Sequence, residues 1–250
     1  MRKFGLIGYP LGHSFSQKYF TTKFEEEHIR DCSYENFPLS SLDNFHNFVS
    51  ANPDICGLNI TIPYKTEILK HIDKADPVVI EIGAANVLKI CRVAVKPVIS
   101  AYNSDVIGIR KSLVSFFPQA NGMALILGTG GASKAVSWTL KNMGFRVLFV
   151  SRNKKEDILG YEDINAHLLK NVNLIVNTTP LGMFPNIEGK PDIDYNLLDE
   201  RHTLFDLVYN PEFTTFLKIG KERGCKIITG LKMLYSQAER SWEIWNDKNL

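Results

Sequence analysis

The sequence predicts an α/β protein of two domains, the second built on a parallel sheet. The apolar run Met123-Ala124-Leu125-Ile126-Leu127 opens directly into a glycine cluster, and a helix-compatible segment, Ser133 to Met143, follows. A continuous apolar run bounded by turn residues marks a strand buried on both faces, as in a parallel sheet. Short apolar runs alternate with helix-length segments on both sides of this stretch, the pattern of strands joined through helices. The chain has 250 residues, enough for one large domain or two modest ones, and Pro118-Gln119-Ala120-Asn121-Gly122 reads as a linker between them.

Composition excludes several classes. A net charge of +2 gives no global field for nucleic acid or an anionic membrane. No apolar run approaches the ~20 residues needed to span a bilayer, and the start, Lys3-Phe4-Gly5-Leu6-Ile7, has no signal-peptide pattern. Cys32, Cys56, Cys91 and Cys225 are scattered singly, which suits neither a disulfide framework nor a zinc site. The expectation is a cytoplasmic protein with free thiols and no metal, acting on small molecules, as a monomer or homodimer.

In chain order, Phe4 to Gly8 reads as a short buried strand, followed by the loop Tyr9-Pro10-Leu11-Gly12-His13-Ser14-Phe15-Ser16. Ser14 and Ser16 sit two apart, so in extended backbone both hydroxyls project the same way and suit a carboxylate. Ser16 is equally a candidate N-cap for a helix over 17–27. His13 is open to either a local hydrogen bond or a site role. Asp31 to Phe37 reads as a second strand and Ser41 to Ala51 as an amphipathic helix.

In Gly57-Leu58-Asn59-Ile60-Thr61-Ile62-Pro63-Tyr64-Lys65, alternation puts Asn59 and Thr61 on one face of a strand end, and Pro63 stops the strand. Lys65 then begins a helix through Lys70, where the macrodipole disfavours a cation; a local rule broken this way points to function. Gly83-Ala84-Ala85-Asn86 starts another strand, and a half-buried Asn needs partners from backbone or ligand. Lys89 to Ala101 reads as a hairpin. Asp105 either caps a helix from Val106 to Phe117 or projects a carboxylate into a cleft.

Gly128-Thr129-Gly130-Gly131-Ala132 lets the backbone turn sharply, and the free N–H groups of the next helix then face an anion. Strand, glycine turn and helix in this order seat a dinucleotide pyrophosphate. Ser133 stands at the last small position, where Gly or Ala is usual. The next strand, Arg146 to Val150, ends in Ser151-Arg152-Asn153-Lys154-Lys155 rather than in Asp or Glu. Arg meets a 2′-phosphate that a carboxylate would repel, so NADP is favoured over NAD; a solvated basic turn is the alternative. Val172 to Asn177, Thr203 to Tyr209 and Lys226 to Gly230 read as further strands. Gly230 to Trp245 reads as a helix with Met233, Leu234, Ala238, Trp242 and Trp245 on its apolar side and Gln237 near that face.

Ser14-Phe15-Ser16, Asn59 to Lys65, Gly83 to Asn86, Asn103-Ser104-Asp105, Gly128 to Ala132, Asp206-Leu207-Val208-Tyr209 and Gly230 to Leu234 with Gln237 together resemble the shikimate dehydrogenase family, over almost the whole chain and in the family's motif order. The resemblance implies an N-terminal α/β substrate domain, residues 1–105, to which the C-terminal helix 231–250 returns. It implies a Rossmann-type, doubly wound parallel-sheet NADP domain over 106–230. The implied reaction is reversible reduction of 3-dehydroshikimate to shikimate with NADPH in aromatic (chorismate) biosynthesis.

By motif position, Ser14, Ser16 and Tyr209 are expected on the substrate carboxylate, and Asn59, Thr61, Asn86 and Gln237 on the ring hydroxyls. Lys65 and Asp105 are expected to flank the reacting oxygen, with Lys65 transferring the proton. Gly128, Thr129, Gly130, Gly131, Ala132, Ser151, Arg152, Asn153, Leu207 and Gly230 are expected to hold the cofactor. The family's Asn-Thr-Asp is Asn103-Ser104-Asp105 here, and its Asn-Arg-Thr is Ser151-Arg152-Asn153. Two alternatives share the fold: a quinate/shikimate dehydrogenase with relaxed NAD/NADP use, and a non-catalytic NADP-binding regulator that would be expected to lack the Lys/Asp pair.

Overall fold

The computed structural model describes residues 1–11, 14–93, 96–119 and 122–248, so His13 lies outside the described residues. The chain divides into two compact units, Met1–Ser104 with Ala238–Leu250, and Asp105–Gln237. The division falls inside the last helix rather than at its start. Ala238, Ile244 and Trp245 join the core of the first unit, whereas Met233 and Gln237 pack close to Gly108 in the second.

The first unit contains β1 (Arg2–Gly8), α1 (Phe15–Glu26), β2 (Cys32–Pro38), α2 (Phe45–Ala51), β3 (Ile55–Ile60), β4 (Lys74–Ala75), α3 (Pro77–Ile82), β5 (Val87–Val93) and β6 (Lys96–Tyr102). Its sheet runs β2-β1-β3-β5-β6-β4. β1 pairs in parallel with β2 and β3, while β3, β5 and β6 pair antiparallel. One face is aliphatic, with Ile7, Leu58, Ile60, Leu88 and Ile99. The other is aromatic: Phe20 stacks on Tyr34 at 4.7 Å and Phe4 on Trp245 at 4.8 Å. The Trp245 indole N–H donates to the Leu88 carbonyl at 3.0 Å, which gives this buried polar group its partner.

Local chemistry sets several boundaries away from the sequence expectation. Ser14, not Ser16, caps α1: its Oγ accepts from the Gln17 N–H at 3.3 Å. α2 starts at Phe45 rather than Ser41, because the Ser41 hydroxyl turns the chain instead, accepting from the Asp43 N–H at 3.1 Å. Lys65 does not open a helix. Residues 62–66 are turn, and a 3₁₀ helix follows at Glu67–His71, so the conflict with a macrodipole disappears. β3 ends at Ile60, which leaves Thr61 just past the strand. α3 has no counterpart in the sequence reading, although its signal is present. Asp76 caps it through the Val78 N–H at 2.9 Å, Pro77 holds its first turn, and Gly83 closes it at φ +66°.

The second unit contains α4 (Asp105–Leu113), β7 (Gly122–Leu127), α5 (Gly131–Asn142), β8 (Phe145–Val150), β9 (Ile158–Leu159), α6 (Ala166–Leu169), β10 (Val172–Asn177), β11 (Thr203–Asp206), α7 (Thr215–Glu222), β12 (Lys226–Ile228) and the first half of α8 (Leu231–Asn246). Its sheet runs β12-β11-β10-β7-β8-β9, and every pair is parallel. The strand order reverses between β7 and β10, and open α/β sheets bind ligands at that crevice, off the strands' C-terminal ends. β11 stops at Asp206 instead of running to Tyr209. The Asp206 carboxylate accepts from the Val208 N–H at 2.9 Å, and this Asx turn lifts the chain off the ladder. Among the described residues, no helix is long and apolar enough to cross a membrane.

Candidate active site

In the first unit the candidate residues gather where β1 and β3 end. Ser14 heads α1, and its Oγ takes the Gln17 N–H while the hydroxyl keeps its own proton to donate. Ser16 lies within hydrogen-bonding reach of the Tyr34 phenol, whose pKa burial pushes up, so the phenol stays protonated and a donor. Tyr34 Oη in turn donates to Asn59 Oδ1 at 2.8 Å.

Backbone bonds tie three segments together here. The Ile60 N–H donates to the Asn86 carbonyl at 2.9 Å, the Ala85 N–H to the Lys65 carbonyl at 2.8 Å, and the Asn86 N–H to the Tyr102 carbonyl at 3.1 Å. Asn103 Nδ2 donates to the Ala84 carbonyl at 2.9 Å. The turn carrying Thr61 and Lys65, the Ala84–Asn86 segment and the strand leading to Ser104 therefore form one braced edge. Lys65 is half-buried on it.

Asn59 is buried, and its amide is held by protein on both sides. Oδ1 accepts from Tyr34, while Nδ2 donates to Ser241 Oγ at 2.9 Å and to the Asn86 carbonyl at 3.3 Å. Asn86 is fixed by Ser104: its Oδ1 accepts the Ser104 N–H at 2.7 Å, and its Nδ2 donates to Ser104 Oγ at 3.0 Å. Tyr34, Ser104 and Ser241 were not singled out from sequence as site residues. The signal for Ser241 was a hydroxyl four residues after Gln237, within the apolar stripe of α8.

In the second unit, β7 runs into Gly128 at φ +109°, where a Cβ would also press on Thr178 Oγ1 at 2.8 Å. Only glycine fits this backbone. Gly130 is different: it caps α5, and a Cβ built there would meet nothing within 4 Å. The chain's own packing does not call for glycine at 130, but a group seated on the α5 N–H groups would. Thr129, Gly131 and Ala132 complete this turn.

At the end of β8, the Ser151 hydroxyl accepts from the Asn153 N–H at 3.2 Å and leaves Arg152 exposed. Lys154 pairs with Asp163 at 2.7 Å, which leaves Arg152 and Lys155 as the other exposed cations of this turn. Across the crevice, the Leu207 N–H donates to the Asn177 carbonyl at 3.0 Å. Gly230 lies so close to the Leu207–Val208 backbone that a Cβ would meet the Leu207 carbonyl oxygen at 2.7 Å.

Asp105 begins α4 and is buried, and Gly108, three residues on, backs onto Met233 and the Gln237 Cβ. Asp105 therefore shares the α4 face that meets Gln237. Burial raises the Tyr209 pKa and keeps its phenol a donor. Two further residues brace the loops that carry Leu207 and Tyr209. Asn177 and Asp206 end their strands side by side, and the Asp206 carboxylate takes hydrogen bonds from Asn177 Nδ2 at 3.0 Å and Thr214 Oγ1 at 2.6 Å.

An all-parallel, doubly wound sheet with a glycine turn at its switch point, joined to a second α/β unit with a polar edge, defines a dinucleotide-binding α/β protein of the oxidoreductase class. The comparisons narrow this. The family model of the shikimate dehydrogenase substrate binding domain matches residues 6–88. A shikimate dehydrogenase (NADP(+)) from Methanosphaera stadtmanae is 32% identical over 262 residues, covering 98% of this chain and 91% of that protein. The crystal structure of a chorismate mutase/shikimate 5-dehydrogenase fusion protein from Clostridium acetobutylicum superposes with a TM-score of 0.87 at 36% identity, covering 98% of this chain and 91% of that one. That of the Thermus thermophilus shikimate 5-dehydrogenase in complex with NADP(H) and shikimate gives 0.83 at 28% identity, covering 98% and 94%. The chain belongs to the shikimate dehydrogenase family.

Proposed function

We propose that this chain catalyses the reversible, NADP-dependent interconversion of shikimate and 3-dehydroshikimate. The reading is carried by the glycine turn at the head of α5, open at Gly130, in a chain 32% identical, over 98% of its length, to a dehydrogenase of that activity. The residues present fit NADP: the turn 128–132 suits the pyrophosphate, and Arg152 with Ser151 and Asn153 suits the 2′-phosphate side. Leu207 and Gly230 are assigned to the nicotinamide side. When bound, the cofactor supplies or accepts the hydride at the substrate's reacting carbon.

The protein's own residues do the rest. Adding hydride to a ketone leaves negative charge on its oxygen, and the Lys65 ammonium donates the proton that makes the hydroxyl; in the reverse direction Lys65 takes that proton back. Asp105 is assigned, with Lys65, to the reacting oxygen. Ser14 and Tyr209 donate to the substrate carboxylate, with Ser16 beside them. Thr61, Asn86 and Gln237 hold ring hydroxyls. Asn59 is assigned to a ring hydroxyl as well: Tyr34 takes one lone pair of its Oδ1 and the second remains to accept. Cys32, Cys56, Cys91 and Cys225 are free thiols, which accords with work in a reducing, cytoplasmic compartment.

The test is NADP reduction, followed by absorbance, on adding shikimate to the purified protein, with quinate and NAD as parallel arms. Turnover with shikimate and NADP well above the other combinations is expected. Turnover with quinate but not shikimate would overturn the substrate assignment, and no turnover with any pair would overturn the enzyme assignment.

A further inference from the structure

Loop 207–213, which carries Tyr209, is fastened at both ends to one buried carboxylate. Asp206 Oδ1 accepts from the Val208 N–H at 2.9 Å, where the loop leaves β11, and Oδ2 accepts from Thr214 Oγ1 at 2.6 Å, where the loop enters α7. The donors are determined. A backbone N–H only donates, and Thr214 Oγ1 already accepts from the Leu217 N–H as the cap of α7, so its own proton serves the carboxylate. Asn177 Nδ2 adds a third bond to Oδ1 at 3.0 Å, and its flip is fixed because Asn177 Oδ1 takes the Thr179 N–H at 3.1 Å. Val208 and Thr214 are buried, and among the described residues neither the Val208 N–H nor the Thr214 hydroxyl proton has another acceptor. The middle of the loop leans on the same node. Its Asn210 carbonyl takes the Phe184 N–H at 2.9 Å, and the chain leading to Phe184 is held by Asn177 through Thr179 and the Leu181 carbonyl.

We infer that Asp206 is a positioning residue for substrate binding: its carboxylate closes the stem of loop 207–213 and so fixes where the Tyr209 phenol stands. This rests on the proposed function and on the assignment of Tyr209 to the substrate carboxylate. An alanine at 206 strands the Val208 N–H and the Thr214 hydroxyl proton away from water, and the chain relieves that cost by opening the stem. An asparagine keeps the stem closed. Its oxygen faces Val208 and Asn177, which both donate, and its NH₂ faces Thr214 Oγ1, which has a lone pair to accept. The Leu207 N–H is held separately by the Asn177 carbonyl at 3.0 Å, and the glycine turn and Arg152 lie outside the loop. The damage therefore falls on ground-state binding of substrate and spares the dinucleotide seat.

The experiment uses the full chain and compares the parent with Asp206→Ala, Asp206→Asn, Thr214→Val, Thr214→Ser, Tyr209→Phe and the Asp206→Ala/Tyr209→Phe double variant. Steady-state constants for shikimate are read alongside NADP affinity and thermal midpoints, well above the Asp206 pKa of about 6. Asp206→Ala is expected to raise KM for shikimate about fivefold or more, with NADP affinity changed less than about twofold. Asp206→Asn is expected to stay within about twofold of the parent in both. If the alanine variant does not fold, the Thr214 pair carries the test. Thr214→Val opens only the α7 end of the stem and is expected to raise KM for shikimate about twofold or more, while Thr214→Ser keeps the hydroxyl and the parental KM. In the Tyr209→Phe background, Asp206→Ala is expected to add little to KM.

A parental KM in Asp206→Ala, or in Thr214→Val where that variant carries the test, overturns the inference. So do equal losses of shikimate and NADP binding, which would mean general loosening, an asparagine variant as impaired as the alanine one, or full additivity with Tyr209→Phe. Failure of the parent to oxidise shikimate strikes the proposed function itself, and a Tyr209→Phe variant with parental KM strikes the assignment of Tyr209; neither result can be mistaken for the failure of Asp206.

Discussion

The Asp206 carboxylate, 0% exposed, accepts a hydrogen bond from the side-chain amide of Asn177 at 3.0 Å, locking the last residues of two neighbouring strands together just where the chain leaves the sheet. Burial pushes the Asp206 pKa up to about 6, against the opposing pull of its donors Thr214, Val208 and Asn177. The unfolded carboxyl titrates near ~3.9. Between about pH 4 and pH 6 the folded chain therefore binds more protons than the unfolded one, and stability falls as pH rises through that window. The roughly two-unit shift corresponds to about 3 kcal/mol. Relative to the parent, Asp206→Asn should gain up to about that much unfolding free energy between about pH 4 and pH 6.5. Urea denaturation of both proteins at several pH values checks this, and a difference that does not vary with pH would contradict it.

Lys65→Ala should lower kcat by about 10²-fold or more, because it removes the proton-transfer group. NADP binding, followed by fluorescence titration, should be unaffected, since Lys65 belongs to the first unit and the glycine turn to the second. Turnover at the parental rate would remove Lys65 from its proposed role.

Arg152→Ala tests cofactor choice. Loss of a charge-assisted contact to the 2′-phosphate should raise KM for NADP about tenfold or more while leaving the weaker use of NAD alone. Equal losses with both dinucleotides would mean that Arg152 does not read the 2′ position.

The two glycines of the turn should separate stability from binding. Gly128→Ala puts a side chain at φ +109° against Thr178 and should destabilise the protein by about 1–3 kcal/mol. Gly130→Ala meets no protein atom within 4 Å, so its thermal midpoint should match the parent's while NADP binds more weakly. A large midpoint drop in Gly130→Ala would show that position to be structural.

Phe20→Ala should cost about 3–5 kcal/mol. Phe20 is 0% exposed, stacks on Tyr34 and packs at a tilt against Phe24 and Trp245, which join α1, β2 and the end of α8. Guanidinium unfolding measures it, and a loss below about 1 kcal/mol would mean that the aromatic layer closes over the gap.

The parallel sheet was legible in sequence because its strands are buried on both faces and read as unbroken apolar runs; β10 falls on Val172 to Asn177 as expected. The glycine turn was legible because its backbone leaves so few alternatives at Gly128. Strand and helix ends were less so. Ser14 and Ser16 present the same local chemistry, and only the path of the chain decides which one caps α1. The end of β11 depends on Asp206 reaching the Val208 N–H, a choice that competing ladder bonds leave open in sequence. In sequence, Asn59 reads only as a polar residue sharing one face of a strand end with Thr61. Its burial is set by Tyr34 and Ser241, 25 and 182 residues away, and local pattern carries no trace of such partners.

Ser14 has two occupations: its oxygen fastens the first turn of α1 through the Gln17 amide, while its proton remains for a guest. Drawing that proton toward an anion makes the oxygen a better acceptor, so the Gln17 N–H should become harder to exchange when the carboxylate arrives. A single backbone amide, out of reach of any chemistry, would then serve as a built-in gauge of whether the seat is filled.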